Sequence, residues 1–401
     1  MNKIRFAVVG CGYVADYYMR TAANHPDVEI VRGYDRSADN ARRFTAYWNV
    51  PATDDADAFY DGLAVDAVLN LTNPDSHYAV TRDALTRGFP VYSEKPLAME
   101  VPDIFALRDL ARDKGLALAS APCNHLSEVF AATRDGLQAG HVGRPLLAYA
   151  EMDDNFIART PYETWINPSG APWPFEDEFA VGCTLEHAGY YLTWLIALFG
   201  SVRAVHAFGA LCHPGKPVPE GRRESPDFTV ACLEFDSGMT ARLTCGVVAP
   251  KDHRLQVFGD AGTLEVEDSW FYDSPVSYRR WLRIRRKFLL TPWRTRLPVA
   301  KSPVPLPKTG SAAMDFIRGP IEMVSAARDG RTSRLPMDFC VHFNEVALAI
   351  HQADTRRAVY EVQSRLEDHA PLAIAAQAGR SSVLEDRLIP VAERLIGLVK
   401  K

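Results

Sequence analysis

The first fifteen residues restrict the fold more than any other stretch of the chain. Ile4-Arg5-Phe6-Ala7-Val8-Val9 is a short apolar run with the character of a buried strand. It leads directly into Gly10-Cys11-Gly12-Tyr13-Val14-Ala15, a G-x-G-x-x-A pattern, and then into helical spacing. In such a turn Gly10 permits the sharp reversal, Gly12 lets the backbone approach a pyrophosphate, and Ala15 lets helix and strand pack closely. The helix that starts there points free N–H groups at the same spot, which suits an anion.

The pattern that follows fits this beginning. Up to about residue 122, short β-branched runs ("VEIVRGYD", "VDAVLNLT", "FPVYS", "LALASAP") alternate with helical segments of ten or more residues. Alternation of this kind implies right-handed crossovers and a parallel sheet, hence an α/β Rossmann domain over 1–122. Beyond residue 123 the rhythm changes. A Trp-, Pro- and Gly-rich loop spans 155–182, a helix "TLEHAGYYLTWLIALFG" follows, and then several strands succeed one another with short turns such as "DSG" and "DAG". Those turns predict a second, α+β domain over 123–401 with a large open, mostly antiparallel sheet. From about 311 the chain reads as helical to its end.

The carboxyl ends of parallel strands line the ligand crevice of such a fold, so the residues there are the candidates for chemistry. The second strand ends on Asp35, 23 residues past Gly12, where a carboxylate accepts hydrogen bonds from an adenosine ribose. Asp35 repels a 2′-phosphate and favours NAD, whereas the neighbouring Arg36 could bind one, so NADP stays open. The third strand ends in Thr72-Asn73-Pro74, placed to touch the nicotinamide half; Asn73 and Pro74 also suit a helix start. His77, one turn on, faces substrate or cofactor, or else the surface. The fourth strand ends on Ser93-Glu94-Lys95-Pro96 at the same edge. Pro96 biases Lys95 toward an extended backbone, and the lysine ammonium is then positioned to stabilise charge on a carbinol or carbonyl oxygen. Partial burial would lower its pKa and let it share in proton transfer.

Taken together, the glycine loop, Asp35, "TNP" and "EKP" resemble the Gfo/Idh/MocA oxidoreductases, and "HVGRPLLAYAE" and "LQVFGDAGTLEV" extend the likeness into the second domain. The resemblance implies hydride transfer with a nicotinamide dinucleotide, and a second domain that covers the cofactor and often mediates oligomers. Members of the family commonly carry G-G-x-L-x-D-x-G-x-H, with Asp and His binding and deprotonating substrate. Here the matching stretch, Gly182 to Tyr191, places His187 at the Asp position and Tyr191 at the His position. Some sugar-active members resemble this in having Tyr there. Tyr191 is therefore the expected proton carrier beside Lys95, with His187 orienting substrate, acting as the base, or simply buried. Asn124 and His125 after the fifth strand, and Trp165, Ser169, Gly170 and Trp173 in the long loop, are further candidates for substrate contact, the last four as a lid; packing alone would also account for the tryptophans.

Composition sets outer limits. At 47% hydrophobic and 24% charged residues the chain is an ordinary globular one, and its net charge of −5 excludes a nucleic-acid binder by bulk electrostatics. Seven widely spaced cysteines with no C-x-x-C argue against a disulfide framework or zinc and for a reducing compartment. The opening apolar run is too short for a signal peptide, and a cytoplasmic protein is expected. Residues 279–308 stand apart, with ten Lys or Arg, five Pro and no acid; without them 35 basic residues face 50 acidic ones. A solvated loop or an oligomer contact is the first expectation for that segment, and an anionic surface the second. The functional expectation is an NAD(P)-dependent oxidoreductase acting on a secondary alcohol or ketone of a sugar, cyclitol or nucleotide-linked sugar, working as a homo-dimer or tetramer. An NAD-dependent glycosidase and a non-catalytic dinucleotide-binding scaffold are the alternatives.

Overall fold

A computed structural model describes residues 3–284, 286–307 and 313–367. The first sheet is built from β1 (Ile4–Val9), β2 (Val28–Tyr34), β3 (Ala52–Thr53), β4 (Ala67–Asn70), β5 (Val91–Ser93) and β6 (Leu118–Ser120), all parallel, in the order β3-β2-β1-β4-β5-β6. Helices α1 (Tyr13–Ala22), α2 (Ala38–Trp48), α3 (Ala56–Tyr60), α4 (Pro74–Thr86) and α5 (Val101–Lys114) connect them. The strand order reverses beside β1, so a crevice opens where the ends of β1 and β4 diverge. Gly10 is forced at this point. Its φ is +95°, and a Cβ there would lie 2.6 Å from the Leu71 carbonyl carbon. No L side chain is accommodated in that space.

Among the described residues the second sheet has eleven strands and is mostly antiparallel. A linking helix, α6 (Glu128–Gln138), precedes β7 (Pro145–Phe156), the long central strand. Two helices, α7 (Phe175–Val181) and α8 (Cys183–Phe199), come next, followed by the meander β8 (Val202–Ala210), β9 (Phe228–Phe235) and β10 (Thr240–Gly246). Then come β11 (Val248–Asp252), β12 (Leu255–Gly259), β13 (Gly262–Val266), β14 (Val276–Ile284), β15 (Lys287–Leu290) and β16 (Thr295–Arg296). The main path is β15-β14-β13-β12-β7-β10-β9-β8, with β7 and β10 parallel to each other. The all-round apolar α8 explains its own position: a helix with hydrophobic residues on every face has to be buried. It lies between this sheet and α10 (Met337–His351), and Trp194 and Leu195 are fully enclosed.

Two expectations change. The first part of the basic segment is strand rather than loop, because its Trp, Leu and Phe residues pair across β14 and β15, with Trp281 stacked on Phe288 at 5.2 Å; from Leu297 to Pro307 the described residues carry no strand. Phe288, Leu289 and Trp293 are exposed. The C-terminal part is helical in α9 (Arg318–Asp329), α10 and α11 (Ala353–Arg356), but β17 (Tyr360–Glu361) then adds a strand beside β8. The expected helix over 368–401 lies outside the described residues. Among the described residues no helix is long and apolar enough to cross a membrane.

The C-terminal helices return to the first sheet, where α9 packs on β4, β5 and β6 and α10 on α5 and β6. Asn344 of α10 makes the polar part of that joint. Its Oδ1 accepts from the Leu97 N–H at 2.7 Å, and its Nδ2 donates to the Cys340 carbonyl at 2.8 Å. Leu97 sits two residues past Lys95. Asn344→Ala leaves a buried N–H without a partner and should cost about 1–3 kcal/mol. Urea unfolding with an unchanged slope would register it; a variant as stable as the parent would contradict this account of the joint.

Candidate active site

The crevice, with a cavity volume of about 240 Å³, runs from the glycine loop to the face of the second sheet. At the loop end Gly12 is the N-terminal cap of α1, no side chain occupies the free N–H groups there, and the space where its Cβ would stand is open. Ala15 is fully buried against the sheet. Tyr13 and Val14 line the opening. At the end of β2 the Asp35 carboxylate is fixed by the Cys11 N–H at 2.9 Å and the Ser37 N–H at 2.9 Å, while Arg36 is exposed. An open cradle of N–H groups with an anchored carboxylate one strand away fits a dinucleotide: the loop would hold its pyrophosphate and Asp35 its ribose.

Thr72, Asn73 and Pro74 line the next stretch. His77 is neither exposed nor a free ligand. Its Nε2 lies 2.8 Å from the Thr72 carbonyl and its Nδ1 2.5 Å from the Pro96 carbonyl. The imidazole therefore joins the turn after β4 to the turn after β5. Burial holds its pKa down, although both carbonyls oppose that shift. Glu94 fixes the second turn from the other side, accepting from the Tyr18 hydroxyl at 2.7 Å and from the Lys95 N–H at 3.0 Å.

Lys95 thus has a constrained backbone, and its side chain crosses the crevice to α8. Nζ meets Glu186 Oε2 at 2.6 Å, with the two side chains only 16% and 19% exposed. Burial alone would lower the lysine pKa, but Glu186, with Tyr190, Glu178 and Glu94, outweighs it and the net shift is upward. This reverses the expectation of an easily deprotonated lysine: Lys95 is a stable cation here. Burial also pushes Glu186 up, but Lys95, and after it the neighbouring Glu178, outweigh it and hold its carboxylate below the usual range. Glu178 itself is driven well above that range, by burial and then by the neighbouring Glu186 charge.

The sequence comparisons show the family, and the structure comparisons show the same fold. Residues 4–121 match the model of the oxidoreductase family with an NAD-binding Rossmann fold, and residues 130–265 match the GFO/IDH/MocA C-terminal domain. Over 291 residues, 71% of this chain and 78% of the relative, the sequence is 33% identical to the dTDP-3,4-didehydro-2,6-dideoxy-alpha-D-glucose 3-reductase of Streptomyces violaceoruber. The chain belongs to the Gfo/Idh/MocA oxidoreductase family. Its fold is also that of levoglucosan dehydrogenase in complex with NADH and levoglucosan, at a TM-score of 0.74 with 16% identity, covering 90% of this chain and 100% of that one. The WlbA dehydrogenase of Bordetella pertussis, in complex with NADH and UDP-GlcNAcA, gives 0.68 with 16% identity, covering 90% and 98%. The protein is accordingly an NAD(P)-dependent oxidoreductase with an NAD-binding first domain.

Relative to other Gfo/Idh/MocA oxidoreductases, the substituted helix is informative. The two residues at the Asp and His positions do not both reach the crevice. Tyr191 is fully buried and its hydroxyl donates to the His253 carbonyl in the core. The expected convergence of Lys95 and Tyr191 is therefore absent. Glu186 and Tyr190, one residue earlier in each case, form the crevice-facing pair at i and i+4. Glu186 was missed in the sequence, although it is the one acidic residue of α8. His187 does line the crevice. Its Nε2 faces Asp154 at 3.6 Å, while its buried Nδ1 has no hydrogen-bond partner. Burial pushes Asp154 up, but His187, His253 and Lys251 prevail and keep it ionised below the usual range.

Trp165 and Trp173 also line the crevice, their rings 4.9 Å apart. Their loop is tied to α1: Asn167 Nδ2 donates to the Tyr13 carbonyl at 2.5 Å, and the Ser169 N–H donates to Asp16 at 3.1 Å. Gly170 sits there too, against Arg43. Asn124 and His125 lie outside the crevice. Asn124 donates to the Tyr190 carbonyl at 3.1 Å and so supports α8 from behind, while His125 sits 3.1 Å from the Arg334 carbonyl with its ring against Phe339 of α10. These positions separate two variants. Tyr191→Phe should leave kcat within about twofold while costing about 1–3 kcal/mol, because it strips a buried carbonyl of its donor. Glu186→Gln should lower kcat by about tenfold or more, since a charge-assisted contact is lost. Steady-state kinetics with thermal unfolding would decide; the reverse ranking would restore Tyr191 to the site.

Proposed function

We propose that this oxidoreductase interconverts a secondary alcohol and a ketone on a sugar, cyclitol or nucleotide-linked sugar. The observation that carries the reading is the Lys95 ammonium, held by Glu186 in the crevice beside the turns after β1 and β4. When bound, a nicotinamide supplies or takes the hydride. Lys95 hydrogen-bonds the reacting oxygen and favours negative charge on it, as a preorganised cation in a partly dry site does. His187, oriented by Asp154, offers Nδ1 to an adjacent hydroxyl. Trp165 and Trp173 present flat apolar faces to a sugar ring. Asp35 supports NAD over NADP, because its carboxylate opposes a 2′-phosphate. The relative at 33% identity acts, by its name, on a dTDP-linked sugar, which supports nucleotide-linked keto-sugars as the first substrates to try.

The test is a panel of keto-sugars and polyols, free and nucleotide-linked, followed by the nicotinamide absorbance. NADH-dependent reduction of at least one member is expected, with Lys95→Met slowing it about 10²–10³-fold. An unimpaired Lys95→Met enzyme would refute the role of the lysine, and substrate consumption with no net absorbance change would indicate transient oxidation during glycoside cleavage instead. We further infer a reducing, cytoplasmic setting from seven unpaired cysteines, and a homo-oligomer from exposed Phe288 and Leu289 on the β14–β15 hairpin. A monomer in light scattering at micromolar concentration would remove the second inference.

A further inference from the structure

Behind the crevice wall five ionisable side chains form a row: His187 on α8, Asp154 on β7, His253 between β11 and β12, Asp268 after β13 and Lys251 on β11. Hydride transfer as read above uses only His187 and Asp154. The row is fixed by contacts. His187 Nε2 lies 3.6 Å from Asp154 Oδ2, and His253 Nε2 lies 3.7 Å from Asp154 Oδ1. On its other side His253 Nδ1 lies 3.4 Å from Asp268 Oδ1, and Asp268 Oδ2 meets Lys251 Nζ at 3.0 Å. The Trp270 N–H donates to Asp268 at 2.8 Å, and the Trp270 ring packs 4.4 Å from His253 and 5.9 Å from His187. The His253 side chain is fully buried, and among the described residues neither of its ring nitrogens has a hydrogen-bond partner. Both face carboxylates. A neutral imidazole has one N–H and one lone pair, so it would turn a lone pair toward one of the two anions, whereas an imidazolium turns an N–H toward each. These contacts are longer than hydrogen bonds, so what acts across them is charge, in a place where burial makes charge count. The signs then alternate from Lys251 to Asp154. The remaining groups nearby leave that alternation intact: Asp252 is held by Arg254 at 2.6 Å and Glu186 by Lys95 at 2.6 Å, burial pushes the Asp153 carboxyl up, and the Tyr191 hydroxyl donates to the His253 carbonyl.

We propose that His253 is a positioning residue held as an imidazolium: it fixes the Asp154 carboxylate from behind and shares its charge, so that His187 turns its Nε2–H to Asp154 and keeps a bare Nδ1 for a substrate hydroxyl. This role rests on the hydride-transfer reading above and adds to it the group that keeps His187 a hydrogen-bond acceptor. His187 lines the crevice, and its buried Nδ1 has no partner. Were Asp154 to act on His187 alone, its full charge would favour a protonated His187, which has no lone pair to offer a hydroxyl. With His253 charged, the carboxylate has a cation on its far side and holds the His187 ring without drawing a second proton onto it. His253 itself touches no substrate and exchanges no proton with one.

Two measurements test it. Nitrogen-15 NMR of the histidine rings in the cofactor-free protein, at mildly alkaline pH, should show an imidazolium signal that His253→Gln removes. Asp268→Asn, one step further from the crevice, should make that same signal titrate at lower pH, because the cation has lost one of its two anions. In steady-state kinetics, kcat/KM of the wild type should fall on the acid side as His187 takes a proton and stops accepting. His253→Gln leaves Asp154 without the cation behind it, so that limb should move to higher pH by about one unit, with the loss carried by KM and kcat little changed. A merely structural lesion would leave the limb in place. NADH titration with near-parental affinity separates a folded variant from a collapsed one. Survival of every imidazolium signal in His253→Gln, or an acid limb that stays put in a folded variant, would overturn the positioning role while leaving hydride transfer intact. Absence of turnover by the wild type on the whole panel would instead bring down the underlying reading, and the nitrogen spectrum would still decide the charge of His253.

Discussion

The contact between Lys95 and Glu186 is the interaction on which the site depends. It joins the carboxyl edge of the first sheet to the helix that the second sheet supports, across the space a dinucleotide would enter. In a setting this dry, removing one partner leaves the other as an uncompensated charge, which is far more costly than losing an exposed ion pair. The surrounding structure is consistent with that demand. Glu94 and Tyr18 hold the lysine turn, Asn344 holds the residues just beyond it, and Asn124 supports α8 through the Tyr190 carbonyl. Each of these groups acts on the position of the pair without being part of it.

The second sheet has a comparable task at larger scale. A helix as apolar as α8 requires cover on every side, and it receives this from β7, β9, β10 and α10. Only its first two turns emerge at the crevice, and the polar residues Glu186, His187 and Tyr190 are all there. The division between a sealed apolar length and a short polar end is what permits ionisable groups to sit in a partly dehydrated place and yet meet a ligand. Asp154 on β7 and His253 after β11 extend the polar patch onto the sheet, with the ring of Trp270 packed 4.4 Å from His253.

Much of this was legible in the sequence where the cause is local. The glycine loop, Asp35, Thr72 and Lys95 all follow from one rule about the ends of parallel strands, and a strand–turn–helix fixes their direction within a few residues. The phase of α8 was not legible. A one-residue step turns a helix by about 100°, so whether Tyr190 or Tyr191 faces the crevice is decided by how β7 and β10 seat the helix, long after the motif has been read. A signal did exist, since Glu186 is the lone carboxylate of a helix otherwise bound for the core. Glu178 offered none: it is one of three consecutive acids, Glu176, Asp177 and Glu178, and only the tertiary position of α7 distinguishes it. Asn124 and His125 were misread for a related reason, because the chain after β6 leads behind α8 and not toward the opening.

His77 carries a consequence for motion. Its two ring nitrogens face carbonyls on different turns, one next to Asn73 and the other on Pro96. A displacement of either turn is therefore transmitted to the other through a rigid aromatic plane, and the two segments share a single degree of freedom. The backbone stretches that end in Asn73 and Lys95 are thereby yoked to one another, and only the lysine's side chain reaches across to α8.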